Sequence, residues 1–194
     1  VNGPDMVWGS KVGQPPDFST SPPLQDDDAI SFRLAGTQNH PVRHIVGLKQ
    51  LVVLTDGGAW TVGEPKQPLT PSSLGADQET WAGASSVRPV VVGNNLVYVQ
   101  ARGSIVRDLR FQEEVQSFGG NDLTIFASHL FTGYTIRALD VAQVPDPIVW
   151  AVRSDGRLLG LTYLPEHDVW GWHRHDTGAG GFFWDVCVVP ENDQ

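Results

Sequence analysis

Two histidines, His173 and His175, come nearest of all residues in the chain to metal-binding chemistry. Residues two apart on a β-strand face the same side of a sheet, so both imidazoles could reach one ion. The sequence does not complete a ligand set, because Asp176 faces the opposite side of a continuing strand and His167 lies in the preceding turn. We therefore predict two structural histidines at an aromatic strand end, with no metal and no cofactor bound.

Covalent catalysis has no matching set of residues in this sequence. There is no Gly-x-Ser-x-Gly elbow, and the only cysteine, Cys187, lies in an apolar run that predicts a buried, inert thiol. The segment 119–122 precedes a helical pattern but lacks the Lys and Ser/Thr of a phosphate-binding loop. We predict no catalytic residue and no enzyme activity, although paired glycosidase carboxylates from distant strands would leave no local spacing to detect.

The seven tryptophans indicate a second kind of site, in which exposed indole rings stack on sugars. Most of them fall inside apolar strand patterns, where packing in the core is the expected role. Trp81 and one of the pair Trp170 and Trp172 are the candidates for exposure and ligand binding.

Composition excludes several classes of protein. The net charge of −9 disfavours sequence-specific binding to nucleic acid, which depends on Lys and Arg. The longest apolar runs are far shorter than the roughly 20 residues that span a bilayer, so we predict no membrane segment. The start, residues 1–5, has neither an initiator Met nor a signal-peptide layout, and both ends are abrupt. We expect a fragment of a longer chain.

The 21 glycines and 14 prolines divide the sequence into short strand-like runs, which predicts an all-β protein of antiparallel meanders. The turn Thr55-Asp56-Gly57-Gly58, flanked by apolar runs, is a strong hairpin signal. A single domain over 1–194 is expected, with repeated units near 44–63, 88–110 and 148–176 and an incomplete unit at 182–194. One short helix is predicted from Asn121 or Asp122 to Phe131.

The spacing of these units is uneven but near the roughly 40 to 50 residues of a propeller blade, so we predict propeller-like blades. A β-sandwich with long loops is the alternative. If Trp150 is buried between strands, Trp150→Ala should cost about 3–5 kcal/mol of stability.

Several segments resemble a family of bacteriophage virion proteins, and LLGLTYLPEHDVWGWHRHDT at 158–177 is the most specific of them. The others are DDDAISF at 26–32, LVVLTDGGAWTVG at 51–63, LTPSS at 69–73 and GNDL at 120–123. The likeness covers most of the chain, from about Val7 to Pro190. The family consists of tail-tube or nozzle components of tailed phages and of prophages in bacterial genomes.

The resemblance implies a structural role. The full-length parent would form a homo-oligomeric ring with other tail proteins around the DNA exit path, in a virion assembled in the bacterial cytoplasm. No catalytic residue comes with this family. The alternative function is a glycan-binding or glycan-cleaving β-propeller that acts at the host surface.

Overall fold

A computed structural model describes residues 3–36, 38–65 and 67–189. The described residues form four antiparallel sheets of two to four strands, with 42% strand and 5% helix, which confirms the prediction of an all-β protein. The chain divides into two compact units, Val1–Ala84 (unit 1) and Ser85–Gln194 (unit 2), where the sequence analysis predicts a single domain. The described strands form no closed barrel or propeller.

Unit 1 contains a two-stranded sheet and a four-stranded meander. The small sheet pairs β1 (Met6–Gly9) with β2 (Ile30–Arg33). The meander has the order β3-β4-β5-β6. Its strands are β3 (Val42–Gly47), β4 (Leu51–Thr55), β5 (Ala59–Val62) and β6 (Ala76–Thr80).

The predicted hairpin at Thr55–Gly58 joins β4 to β5. The Thr55 amide donates to the Gly58 carbonyl at 2.8 Å, and the Thr55 hydroxyl accepts from the Gly58 amide at 3.0 Å. This turn sets Val53 opposite Trp60, and both are buried. One core cluster of unit 1 contains Val7, Leu34, Val53, Trp60 and Val62.

Unit 2 contains two four-stranded antiparallel sheets, in the orders β10-β9-β8-β7 and β11-β12-β13-β14. The first comprises β7 (Val90–Val92), β8 (Asn95–Val99), β9 (Val106–Gln112) and β10 (Ser117–Gly119). The second comprises β11 (Ile136–Ala142), β12 (Ile148–Arg153), β13 (Leu158–Leu164) and β14 (Val169–His175).

One apolar core joins these two sheets to the segment between them. Alternate residues of β7, β8, β12 and β13 point into it, as strand geometry requires. Fully burying a side chain of the size of Leu161 contributes about 1.5–3 kcal/mol. The buried members are Val90, Val92, Val97, Val99, Val106, Leu123, Ala127, Phe131, Ile136, Leu139, Val149, Ala151, Leu159, Leu161 and Tyr163.

The predicted helix is a 3-10 helix, Ile125–Leu130, which has non-helical dihedral angles at Ala127. Just before this helix, the carboxylate of Asp122 accepts a hydrogen bond from the amide of Thr124 at 2.7 Å. A second 3-10 turn, Pro165–His167, joins β13 to β14.

The three predicted meanders are present, but each sheet has a fourth strand that the prediction omits: β6, β10 and β11. The strand expected in the fourth unit is also wrong, since residues 182–189 form no strand and the rest of that unit lies outside the described residues. Trp150 lies half-buried on the face of β12 opposite Val149 and Ala151, and these two neighbours belong to the core.

Candidate functional site

His173 and His175 share one face of β14, as predicted, and pack against Trp150. The two imidazole centroids are 4.8 Å apart, and the His175 ring is 5.2 Å from the Trp150 ring. The His173 ring lies directly over Gly160, where a β-carbon would collide with it. Burial, and then the charge of His175, lower the pKa of His173 below its ordinary value.

These rings form an edge-to-face aromatic cluster and not a chelating pair, because the Nε2 edge of His173 faces the backbone of Gly160. No group of three or more His, Cys, Asp or Glu side chains that could hold a metal occurs among the described residues.

Trp170 and Trp172 are two residues apart on β14, so they face the same side and the prediction that one of them is exposed is wrong. Both pack against the core of unit 2. The indole N–H of Trp172 donates to the carbonyl of Leu123 at 2.8 Å, and its ring meets Phe131 edge to face at 4.8 Å. Both rings are half-buried.

Trp81 is exposed, as predicted. It directly follows β6 in unit 1, and 74% of its surface is accessible. Of the three tryptophans proposed for ligand binding, Trp81 is therefore the most exposed.

Unit 2 has a further exposed surface, the aromatic patch, formed by Arg137, Phe182 and Trp184. The Arg137 guanidinium lies 4.9 Å from the centroid of Trp184 and 5.6 Å from that of Phe182. The two rings are 4.9 Å apart, and 71% of the Trp184 surface is accessible. The aromatic residues at the alternate positions 182 and 184 could have indicated this surface from the sequence, but nothing in the sequence indicates that Arg137 contacts them.

Two hydrogen bonds hold the segment that carries the aromatic patch. The amide of Phe183 donates to the carbonyl of Gly156 at 3.0 Å, and the amide of Val188 donates to the carboxylate of Asp140 at 2.6 Å. The Phe182 ring lies against Gly156, whose φ of +77° also favours glycine. Cys187 in this segment is exposed, which corrects the prediction of a buried thiol.

Unit 1 has a second exposed surface, the acidic loop, which is the segment 10–29 between β1 and β2. The buried carboxylate of Asp28 holds this loop together, because it accepts hydrogen bonds from the amides of Ser21 (2.8 Å) and Gln25 (2.9 Å). The Lys11 ammonium also forms an ion pair with the Asp28 carboxylate at 3.0 Å. These amide hydrogen bonds, reinforced by Lys11, hold the pKa of Asp28 well below its usual range.

The acidic loop displays apolar side chains on this fixed backbone. Val12, Phe18 and Leu24 are exposed, as are the carboxylates of Asp26 and Asp27. Long loops that keep a defined structure are often binding loops, and an ordered backbone lowers the entropic cost of binding. The acidic loop therefore has the properties of a preorganised contact surface.

The buried polar groups of unit 2 have structural partners. The Tyr163 hydroxyl donates to the Asp108 carboxylate at 2.9 Å and accepts from the Asn95 side chain at 3.3 Å. The amide of Asn121 also donates to Asp108. Burial and the Asp108 charge raise the pKa of Tyr163, so the phenol stays neutral. This network ties β9 to β13.

Arg153 is a second buried anchor. It forms a two-pronged ion pair with Asp155 at 2.6 and 2.7 Å and donates to the carbonyl of Leu130 at 2.5 Å. Its guanidinium also lies 3.7 Å from the centroid of Tyr134. Arg153 thus fixes the end of the 3-10 helix to the β12–β13 hairpin.

None of the described helices has the length and apolar character needed to cross a membrane. No protein-family model matches this sequence, and no curated protein matches it.

Proposed function

We propose that this chain is a structural component of a phage tail, of the tail-tube or nozzle type, which assembles with other virion proteins around the DNA exit path. The observation that carries the proposal is the character of the exposed surface. Apolar and aromatic side chains stand out on two ordered segments, the acidic loop and the aromatic patch. Such fixed apolar groups at the surface are typical of protein contacts.

Two further points support an assembly role. The segments at 158–177 and 51–63 resemble phage virion proteins. The buried titratable groups Asp108, Tyr163 and Arg153 are occupied in holding elements of unit 2 together. A protein whose polar groups serve its own packing and whose apolar groups face outward is suited to contacts with other proteins.

Immunogold electron microscopy tests this proposal. Antibodies raised against the 194-residue chain are applied to particles released from the bacterium whose genome encodes it, with an antibody against a capsid protein as a positional control. Label at the tail supports the proposal. Particles that bind the capsid antibody but carry no label for this chain, after mild dissociation to expose buried epitopes, refute it.

Glycan binding at the host surface is the second candidate function, and the exposed ring of Trp81 is the observation that favours it. An accessible indole face can stack on a sugar ring. A glycan array with the unmodified chain and Trp81→Ala is the test. Binding that Trp81→Ala abolishes would support a lectin role, whereas no binding above background would exclude it for the glycans on the array.

A further inference from the structure

We propose that copies of this chain associate head to tail, with the acidic loop of one copy docked on the aromatic patch of the next. This inference rests on the proposed structural function and names the surfaces through which it operates. It is drawn from the complementary charge and apolar character of two surfaces that the same chain carries.

The acidic loop carries an excess of negative charge that no cation within the loop neutralises. Lys11 is the only cation in 10–29, and it is bound to the buried Asp28. Asp26 and Asp27 are exposed, and an amide hydrogen bond from Ser19 lowers the pKa of the neighbouring Asp17. The carboxylates of Asp17, Asp26 and Asp27 therefore lie in the same loop as its exposed apolar side chains.

The aromatic patch has the opposite charge. Among the described residues, Arg137 has no ion pair, and its guanidinium lies over the rings of Phe182 and Trp184. A guanidinium stacked on aromatic rings keeps its N–H donors free at its edge for a carboxylate. Trp and Arg are also the residues most enriched among those that dominate binding energy at protein interfaces.

Together the two surfaces satisfy the requirements of a specific contact. The Trp184 ring meets Phe18 and Leu24, and Arg137 meets the carboxylates of Asp26 and Asp27. Because the two surfaces differ, repeating the contact from one copy to the next produces a closed ring or an open filament, whereas its reciprocal exchange between two copies produces a symmetric dimer. An apolar centre with a charged rim is the usual anatomy of a protein interface.

Sedimentation velocity on the 194-residue chain, over a concentration series reaching about 1 mM, is the experiment. We expect concentration-dependent association that weakens as salt rises. Arg137→Glu should weaken association about tenfold or more, because attraction becomes repulsion. Trp184→Ala should weaken it about 30-fold.

Charge exchange supplies the decisive comparison. The variant Arg137→Glu with Asp26→Arg and Asp27→Arg restores opposite charges in every copy, so association should recover. Matched controls carry the same kinds of change elsewhere: Arg88→Glu and Asp146→Arg, both at exposed positions. Trp81→Ala is the control for Trp184→Ala. These controls should associate like the unmodified chain.

A chain that stays monomeric throughout the series overturns the inference. So does association that is unaffected by Arg137→Glu or that fails to recover on charge exchange. Association through other surfaces would refute this contact and leave the structural role intact. The immunogold experiment above tests that role independently, so the two failures are distinguishable.

Discussion

Removing the Tyr163 hydroxyl tests the buried network of unit 2. In Tyr163→Phe the ring keeps its place between the sheets, so no cavity of consequence forms. The Asp108 carboxylate, 2% exposed, loses its phenol donor and keeps the amide of Asn121. The Asn95 side chain loses its acceptor at 3.3 Å.

The expected cost follows from these losses. A hydrogen bond to a charged group contributes about 1.5–3 kcal/mol. The Asn95 bond is long and part-buried, so its loss adds little. We expect Tyr163→Phe to lower the free energy of unfolding by about 2 kcal/mol. For a chain of this size, that corresponds to a fall in Tm of about 4–8 °C.

Urea titration and thermal unfolding measure this effect, and Tyr134→Phe is the matched control. The Tyr134 hydroxyl has no hydrogen bond within the described part of the chain, so the control should change stability by less than about 0.5 kcal/mol. A double-mutant cycle with Asp108→Asn should give a coupling energy of about 1 kcal/mol or more. If Tyr163→Phe leaves Tm unchanged, the network does not stabilise unit 2.

Four further predictions test other elements. Burial raises the pKa of Tyr98 to about 12, so the stability that its neutral phenol contributes is fully present below the unfolded pKa of about 10 and is lost as pH rises toward about 12. In urea titrations near pH 9 and pH 11, Tyr98→Phe should therefore lose less stability between the two pH values than the unmodified chain does. Asp28→Asn should speed proteolysis within the acidic loop near neutral pH and leave unit 2 unchanged, and the unmodified loop should loosen only as pH falls below about 4 toward the lowered pKa of Asp28. Arg153→Ala should destabilise unit 2 by about 2–4 kcal/mol in denaturant titration, because it leaves the Leu130 carbonyl and Asp155 without their donor. Trp150→Ala should cost only about 1–3 kcal/mol in the same assay, since the ring is half-buried and not enclosed between strands.

The strands that the sequence predicts correctly are those defined by local signals. In β4 and β5, apolar runs flank an Asp-Gly-Gly turn whose geometry follows from its residue types. The omitted strand β6, Ala76–Thr80, is polar and becomes a strand because it pairs with β5. In β11, a register shift between Ile136 and Ala138 interrupts the alternation that would have marked it.

The surfaces proposed for function depend on contacts that no local pattern contains. Arg137 meets Trp184 across a long sequence separation, and Asp28 organises its loop through backbone amides. The expectation for Trp170 and Trp172 was wrong for a different reason. Residues two apart on a strand share a face, so β14 places both against the core. The apolar run at 182–189 has a strand-like composition but is held by single hydrogen bonds to Gly156 and Asp140.

The copy number of this chain in purified phage tails is the most direct test of a structural role. Quantitative mass spectrometry with isotope-labelled peptides of this chain and of a capsid protein gives that number per particle. We expect a fixed number of several copies that stays with the tail fraction after the capsid is removed. Absence of the chain from tails, or a variable amount far below one copy per particle, would contradict it.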